Sequence, residues 1–167
     1  MELETRLGTI EVNEEDIIDF PVGILGFSEY HRYVILEQEG SAFSYLQSVD
    51  DEELCFVVIM PELVCCDYAV DLTDDQIKLL QIESPADGKV YGIVTIPENV
   101  AEMTVNLQAP VVINTKSLIG AQFVLPGDKY HTKHNVIAEM HKNAYLLQKQ
   151  NEAAQAETDK ENLQESV

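Results

Sequence analysis

The sequence predicts a mostly β domain of antiparallel sandwich or barrel type, and three observations carry that expectation. Short apolar segments recur at close intervals, glycine, proline and small polar residues punctuate them, and long helical periodicities are few. With 167 residues, 46% of them hydrophobic, the chain has material for one sizeable core, so a single domain is the default.

Taken in order, the candidate strands open with residues 3–7 and 9–12 around Gly8, followed by 32–37, 42–48 and 54–60 with Gly40 as a breaker. Pro61 ends the most apolar of these, Leu54-Cys55-Phe56-Val57-Val58-Ile59-Met60, in which Cys55 reads as a small core hydrophobe. Short runs at 68–70 and 89–96 come next, the second entered through Ser84-Pro85-Ala86-Asp87-Gly88 and stopped by Pro97. Residues 104–107 and 111–114 read as two strands separated by Pro110, and 121–125 as a last one between Gly120 and Pro126-Gly127.

Two segments read as helices. In 73–82 the run Thr73-Asp74-Asp75-Gln76 fits a capping box, Asp74 and Asp75 oppose the positive end of the helix dipole, and Ile77, Leu80 and Leu79 supply an apolar stripe that covers one end of the sheet. A second helix starts near Asn135, with Ile137, Met140, Ala144 and Leu147 on one face. Residues 150–167 have Leu163 and Val167 as their only large apolar side chains, so the expected organisation is a β domain over 1–134, a C-terminal helix over 135–149 and a polar, disordered tail over 150–167 with some helical tendency.

Charge is the strongest compositional signal: 30 acidic against 10 basic residues, a formal net charge of −20 and an isoelectric point near 4.2. Residues 1–115 hold only Arg6, Arg32, Lys78 and Lys89 against 23 acids, so the counterion release that drives direct nucleic-acid binding has no basic patch to work through. A basic partner is the complementary expectation. The N-terminal Met1-Glu2-Leu3-Glu4-Thr5-Arg6 lacks the basic stretch and apolar core of a signal peptide, and the longest nearly apolar run, 54–64, is too short to span a bilayer. A cytoplasmic location without membrane insertion follows as an expectation. Cys55, Cys65 and Cys66 read as reduced thiols, since Cys65 and Cys66 are adjacent and poorly placed to bridge each other.

Catalytic signatures are missing where they are most readable: no Gly-rich phosphate loop ending in Gly-Lys-Ser/Thr, no Gly-x-Gly-x-x-Gly after a strand, no Gly-x-Ser-x-Gly elbow. His131, His134 and His141 with Cys65 and Cys66 carry zinc-ligand chemistry, and a small β-barrel metalloenzyme or a ligand-binding barrel is the alternative reading. The spacing opposes it, because His131-Thr-Lys-His134 is flanked by Lys129 and Lys133 and lacks a paired Cys-x-x-Cys, so the histidines read as surface residues. Asp50-Asp51-Glu52-Glu53 is the densest acidic cluster; four consecutive side chains in a strand-to-strand loop splay into water instead of forming a catalytic dyad.

Phe20-Pro21-Val22-Gly23-Ile24-Leu25-Gly26-Phe27 joins a proline-fixed entry, two glycines suited to unusual backbone angles and aromatic anchors at both ends, the chemistry of an ordered loop. Together with Leu46-Gln47-Ser48-Val49-Asp50, Val94-Thr95-Ile96-Pro97 and Thr104-Val105-Asn106-Leu107-Gln108-Ala109-Pro110-Val111-Val112-Ile113-Asn114, it closely resembles the FliW family of bacterial flagellar assembly factors. The resemblance runs from about Leu3 to His134 and ends in Tyr130-His131-Thr132-Lys133-His134. It implies a single buckled, antiparallel-rich β pseudo-barrel, here with a short capping helix and a C-terminal helical extension.

It also implies a protein that is not an enzyme, needs no cofactor, and binds two partners: newly made flagellin and the basic RNA-binding translational repressor CsrA. In that logic flagellin occupies the protein until export removes it, and the freed protein then binds CsrA and lifts repression of the flagellin message. The helix and tail after His134 depart from the family pattern, as does Cys55 where a small residue such as alanine is expected. The motif residues Phe20, Pro21, Gly23, Gly26, Phe27, Gln47, Asn106, Pro110 and Asn114 read as turn, bulge and backbone-bonding positions that specify the barrel. Partner contacts are expected elsewhere, at the loop acids Asp50, Asp51, Glu52, Glu53, Asp67 and Asp71 and at any apolar patch able to shield flagellin's assembly helices.

Overall fold

The computed structural model describes residues 1–165, and for side chains residues 1–146, 148, 149 and 151–156. Ten strands and two α-helices follow one another: β1 (Glu2–Thr5), β2 (Gly8–Glu11), β3 (Ile18–Asp19), β4 (Arg32–Glu37), β5 (Phe43–Ser48), β6 (Cys55–Ile59), α1 (Asp74–Leu80), β7 (Gly88–Thr95), β8 (Thr104–Asn114), β9 (Ile119–Gln122), β10 (His134–Asn135) and α2 (Val136–Glu165). Strands β3 to β9 close on themselves in the order β8-β7-β6-β5-β4-β3-β9, with β9 returning to β8. Every neighbour in the ring is antiparallel except β3 and β9, which pair in parallel at Asp19 and Ile119. The expected mostly β barrel, antiparallel-rich and with one capping and one C-terminal helix, is the observed architecture.

The barrel is buckled at one definable place. Between β7 and β8 the register shifts between Tyr91 and Ile93, and a side chain at the intervening Gly92 would put its Cβ 2.6 Å from Val105 Cγ2. Only a glycine lets the two strands approach that closely. Strand β8 is continuous through Pro110, where the sequence analysis expects a break into two strands. The bulge absorbs the residue that cannot donate to a ladder, and the Pro110 carbonyl still accepts from Phe123 N at 3.1 Å.

Burial divides into clusters that match the layers. Phe20, Tyr33, Leu46, Val58, Tyr91, Val111 and Ile113 form one, and Ile59, Val64, Val94, Met103, Val105, Leu107 and Val136 form a second that extends to the start of α2. The β1–β2 hairpin, a separate two-stranded sheet, packs Leu3 and Val12 on Val34, while α1 packs Leu80 on Val112 and Ala121.

Helix α1 starts as its residues dictate: Thr73 Oγ1 accepts from Gln76 N at 3.2 Å and Gln76 Oε1 accepts from Thr73 N at 2.9 Å. It stops where Gln81 enters the left-handed region at φ 57°. Helix α2 differs from expectation twice. Its packed side chains are Val136, buried, and Met140, half-buried, while Ile137 is 38% exposed and Ala144 is exposed, so the contact face is rotated by about one residue. Its backbone is helical to Glu165, through the stretch expected as a tail; Glu152, Ala153, Ala154 and Gln155 there are strong helix formers, so local propensity favours the helix. Leu147 as a side chain, and Ser166 and Val167 of that tail, lie outside the described residues. Residues 68–70 form no strand. Tyr68 is held instead by its side chain, whose hydroxyl donates to the Leu107 carbonyl at 2.7 Å.

Candidate functional site

The acidic turn after β5 is built from below by a buried amide. Gln47, 1% exposed, points Nε2 at the carbonyl oxygens of Ser48, Asp51, Glu52 and Leu54 at 3.1–3.3 Å. Ser48 Oγ accepts from Asp50 N and Asp51 N at 3.1 and 3.2 Å. The four carboxylates above this frame are not equivalent. Asp50 is salt-bridged to Arg32, Glu53 lies 3.7 Å from Arg6, and half-buried Asp51 accepts from Glu53 N at 3.0 Å. Asp51 also faces Tyr30, whose hydroxyl it holds above the usual phenol range by charge and hydrogen bonding. Glu52 is exposed and makes no salt bridge among the described residues.

The loop over residues 20–27 stands beside this turn, joined through Tyr30 and through an edge-on contact of Phe27 with Phe56 at 5.2 Å. Its entry is fixed by Phe20, fully buried, edge-on to Tyr33 at 5.0 Å and lying over Gly120, where a Cβ would come within 2.6 Å of the ring. Gly23 has φ 76°, and a Cβ on it would sit 2.7 Å from Ser28 Cα. Gly26, at φ 86°, has open space. Leu25 N donates to Gln122 Oε1 at 3.0 Å. Around this ordered frame Pro21 is exposed, and Val22, Leu25 and Phe27 stand 67%, 59% and 38% exposed.

The remaining motif residues bond backbone. Asn106 Oδ1 accepts from Gln108 N and Ala109 N, shaping β8 just before Pro110. Buried Asn114 donates from Nδ2 to the Leu80 and Gln81 carbonyls at 2.8 and 3.1 Å and accepts at Oδ1 from Lys116 N and Ser117 N, tying the end of α1 to the β8–β9 turn.

Asp67 and Asp71 lie in two other neighbourhoods, so the six candidate acids do not form one patch. Asp67 lines a hollow with Val64, Cys65, Glu139, Lys142, Asn143 and Leu146 under α2. Asp71 lines a cleft of about 380 Å³ between α1 and β7, which nothing in the sequence signals because its walls come from five separate segments.

The histidines and cysteines do not converge on a point. His131 and His134 stack ring on ring at 3.6 Å, an arrangement that keeps their nitrogens from sharing a centre. Contrary to the surface reading, His134 is buried: Nε2 accepts from His131 N at 2.9 Å, which leaves Nδ1 to carry the proton and donate to Glu139 Oε1 at 3.2 Å. His131 Nδ1 accepts from Lys133 N, and His141 is exposed on α2. Cys65 Sγ donates to Asp67 Oδ1 at 2.9 Å; burial, then that carboxylate, pushes its thiol up to about 11, away from the thiolate a metal requires. Cys66 is exposed, and half-buried Cys55 is raised by burial. Among the described residues no group of three or more His, Cys, Asp or Glu is placed to hold a metal, and the metalloenzyme alternative finds no support in this geometry.

Comparison with known proteins gives concordant results. The model of the family described as FliW protein matches residues 2–136. A flagellar assembly factor FliW from Alkaliphilus metalliredigens is 44% identical over 145 residues, covering 85% of this chain and 90% of that protein. One from Treponema denticola is 40% identical over 141 residues, covering 84% and 96%. A crystal structure of the flagellar assembly factor FliW superposes with a TM-score of 0.77 at 39% identity, covering 81% of this chain and 96% of that one.

Proposed function

Because this chain belongs to the FliW family, we propose that it is a non-enzymatic flagellar assembly factor that binds newly made flagellin and, when free of it, binds and antagonises the repressor CsrA. Translation of flagellin is thereby coupled to its export. The observation that carries the partner reading is the β5–β6 turn: Gln47 builds it rigidly, and it presents exposed carboxylates near Phe27, which packs edge-on against Phe56 of β6, on a chain of net charge −20. Such a surface suits a basic RNA-binding protein and repels RNA itself. Asp50, Asp51, Glu52 and Glu53 are the proposed CsrA-facing acids, with Asp67 and Asp71 as further partner contacts.

No helix among the described residues is long and apolar enough to cross a membrane, and both proposed partners place the protein in the cytoplasm. The test is a calorimetric titration of the purified chain with flagellin and with CsrA, each alone and then in competition. The expected result is a complex with each and displacement of CsrA by flagellin; absence of both complexes overturns the reading.

A further inference from the structure

The α1–β7 cleft has the walls, rim and rigidity of a docking pocket. Val70, Leu72, Ile77, Ile82, Val90 and Val112 line it with aliphatic side chains, and its volume of about 380 Å³ falls in the range that holds a side chain or small organic group. Both walls are fixed before any occupant arrives. The capping box at Thr73 and the Asn114 bonds to Leu80 and Gln81 hold the two ends of α1, and Ser84 and Asp87 cap the turn that leads into β7.

At the rim Asp71 and Glu83 are exposed and make no salt bridge among the described residues. Of the lysines on the neighbouring elements, Lys116 lies 3.0 Å from buried Asp87 and also feels the charge of Glu83, Lys89 lies 3.3 Å from Glu37, and exposed Lys78 on α1 makes no salt bridge among the described residues. An aliphatic hollow with two exposed carboxylates at its rim, on a chain of net charge −20, is complementary to one kind of occupant. We propose that this cleft receives an aliphatic side chain carried on a lysine- or arginine-bearing segment of a protein partner. This rests on the reading that the protein acts by binding other proteins, and gives the proposed partner contact at Asp71 a definite chemistry.

The probes are three capped tripeptides, Lys-Leu-Lys, Lys-Ser-Lys and Glu-Leu-Glu, titrated to ~10 mM into the full isotope-labelled chain and followed by amide chemical shifts. Lys-Leu-Lys is expected to produce saturable shifts centred on residues 70–72, 82–84 and 88–90, with the other two at least about tenfold weaker, the weight of one lost apolar or charge contact. Gly88→Val is expected to weaken the response at least severalfold: backbone at Gly88 is extended, and its Cβ would lie at ordinary contact distance, 3.6 Å from Ile82 Cδ1 and 4.0 Å from Val112 Cγ1, so the branched side chain takes up part of the cleft. If that variant does not melt as the parent does, Asp71→Lys with Glu83→Lys, both exposed, decides by an expected loss of at least about tenfold. Equal responses to the three peptides, shifts centred elsewhere, no saturation, or unchanged binding in a folded variant overturns the proposal. So do shifts that follow protein concentration without peptide, which put a second copy in the cleft. Flagellin and CsrA titrations run alongside; intact complexes with a silent cleft sink this inference and leave the functional reading standing.

Discussion

Gly23 and Gly26 both use positive φ, but only Gly23 also faces backbone, with Ser28 Cα at 2.7 Å from a built Cβ. Gly23→Val is therefore expected to cost on the order of 1–3 kcal/mol or more, and Gly26→Val ~1–2 kcal/mol, in chemical denaturation. A Gly26 variant that costs as much as its Gly23 counterpart contradicts the contact argument. Gln47→Leu strips the donor from the carbonyls of the acidic turn and is expected to cost ~1–3 kcal/mol, with amide exchange rising first over residues 50–54.

Asp87 carries a pH signature. Its carboxylate is 3% exposed, accepts from Lys116 and from the Glu83 and Ser84 amides, and is held below the ordinary carboxyl range chiefly by the Lys116 hydrogen bond. A group whose folded pKa is depressed stabilises fully above its unfolded value and loses that contribution as pH falls through the folded one. Asp87→Asn is thus expected to lower the urea midpoint at pH 7, with the gap to the parent narrowing below about pH 4. A gap of constant size from pH 7 to pH 3 shows that the charge is not what matters.

At the scale of elements, α2 shows where packing ends. Its first turns bury Val136 against Met103 and Val105, and Asn143 Oδ1 accepts from Cys66 N at 2.7 Å. Residues 151–156 are exposed throughout. We propose that residues 1–134 with the first turns of α2 form the folding unit, so deletion of 150–167 should leave the melting temperature nearly unchanged. A loss of several degrees, read by calorimetry, means that the terminal stretch packs on the barrel. A cut at 135, which removes Val136, is expected to melt lower.

Across the whole molecule, the net charge of −20 sets encounter rates with a basic partner. The Debye length shrinks from ~10 Å at 0.1 M salt to ~3 Å at 1 M, so association with the proposed partner CsrA should slow with salt, while association with the proposed partner flagellin should respond less if apolar contact dominates it. The structure refines which acids to reverse. Asp50 is held by Arg32 and Asp51 shapes the turn, so Glu52→Lys with Glu53→Lys is the variant that changes charge with least change of shape. It is expected to lower the CsrA on-rate more than it raises the off-rate in stopped-flow measurements. An on-rate indifferent to salt, or flagellin as the more salt-sensitive partner, contradicts electrostatic steering.

Several features were legible in the sequence because they are local. The capping box at Thr73, the strand over residues 32–37, the turn at Gly23 and Gly26 and the acidic excess each follow from neighbouring residues whose conformational preferences act within a few positions. Other features were decided only by tertiary contact. Strands β3 and β10 are two residues long and exist because Tyr33 and Val105 offer ladders to pair with; Pro110 stays inside β8 because a bulge opposite removes the need for its missing donor. His134 is buried by the arrival of Glu139 and the His131 amide, and the α1–β7 cleft exists because segments 70–72, 77, 82–85, 88–90 and 112 meet. The division has one physical cause: propensity and capping act along the chain, whereas burial, register and pockets depend on residues that the sequence separates and only the closed barrel brings together.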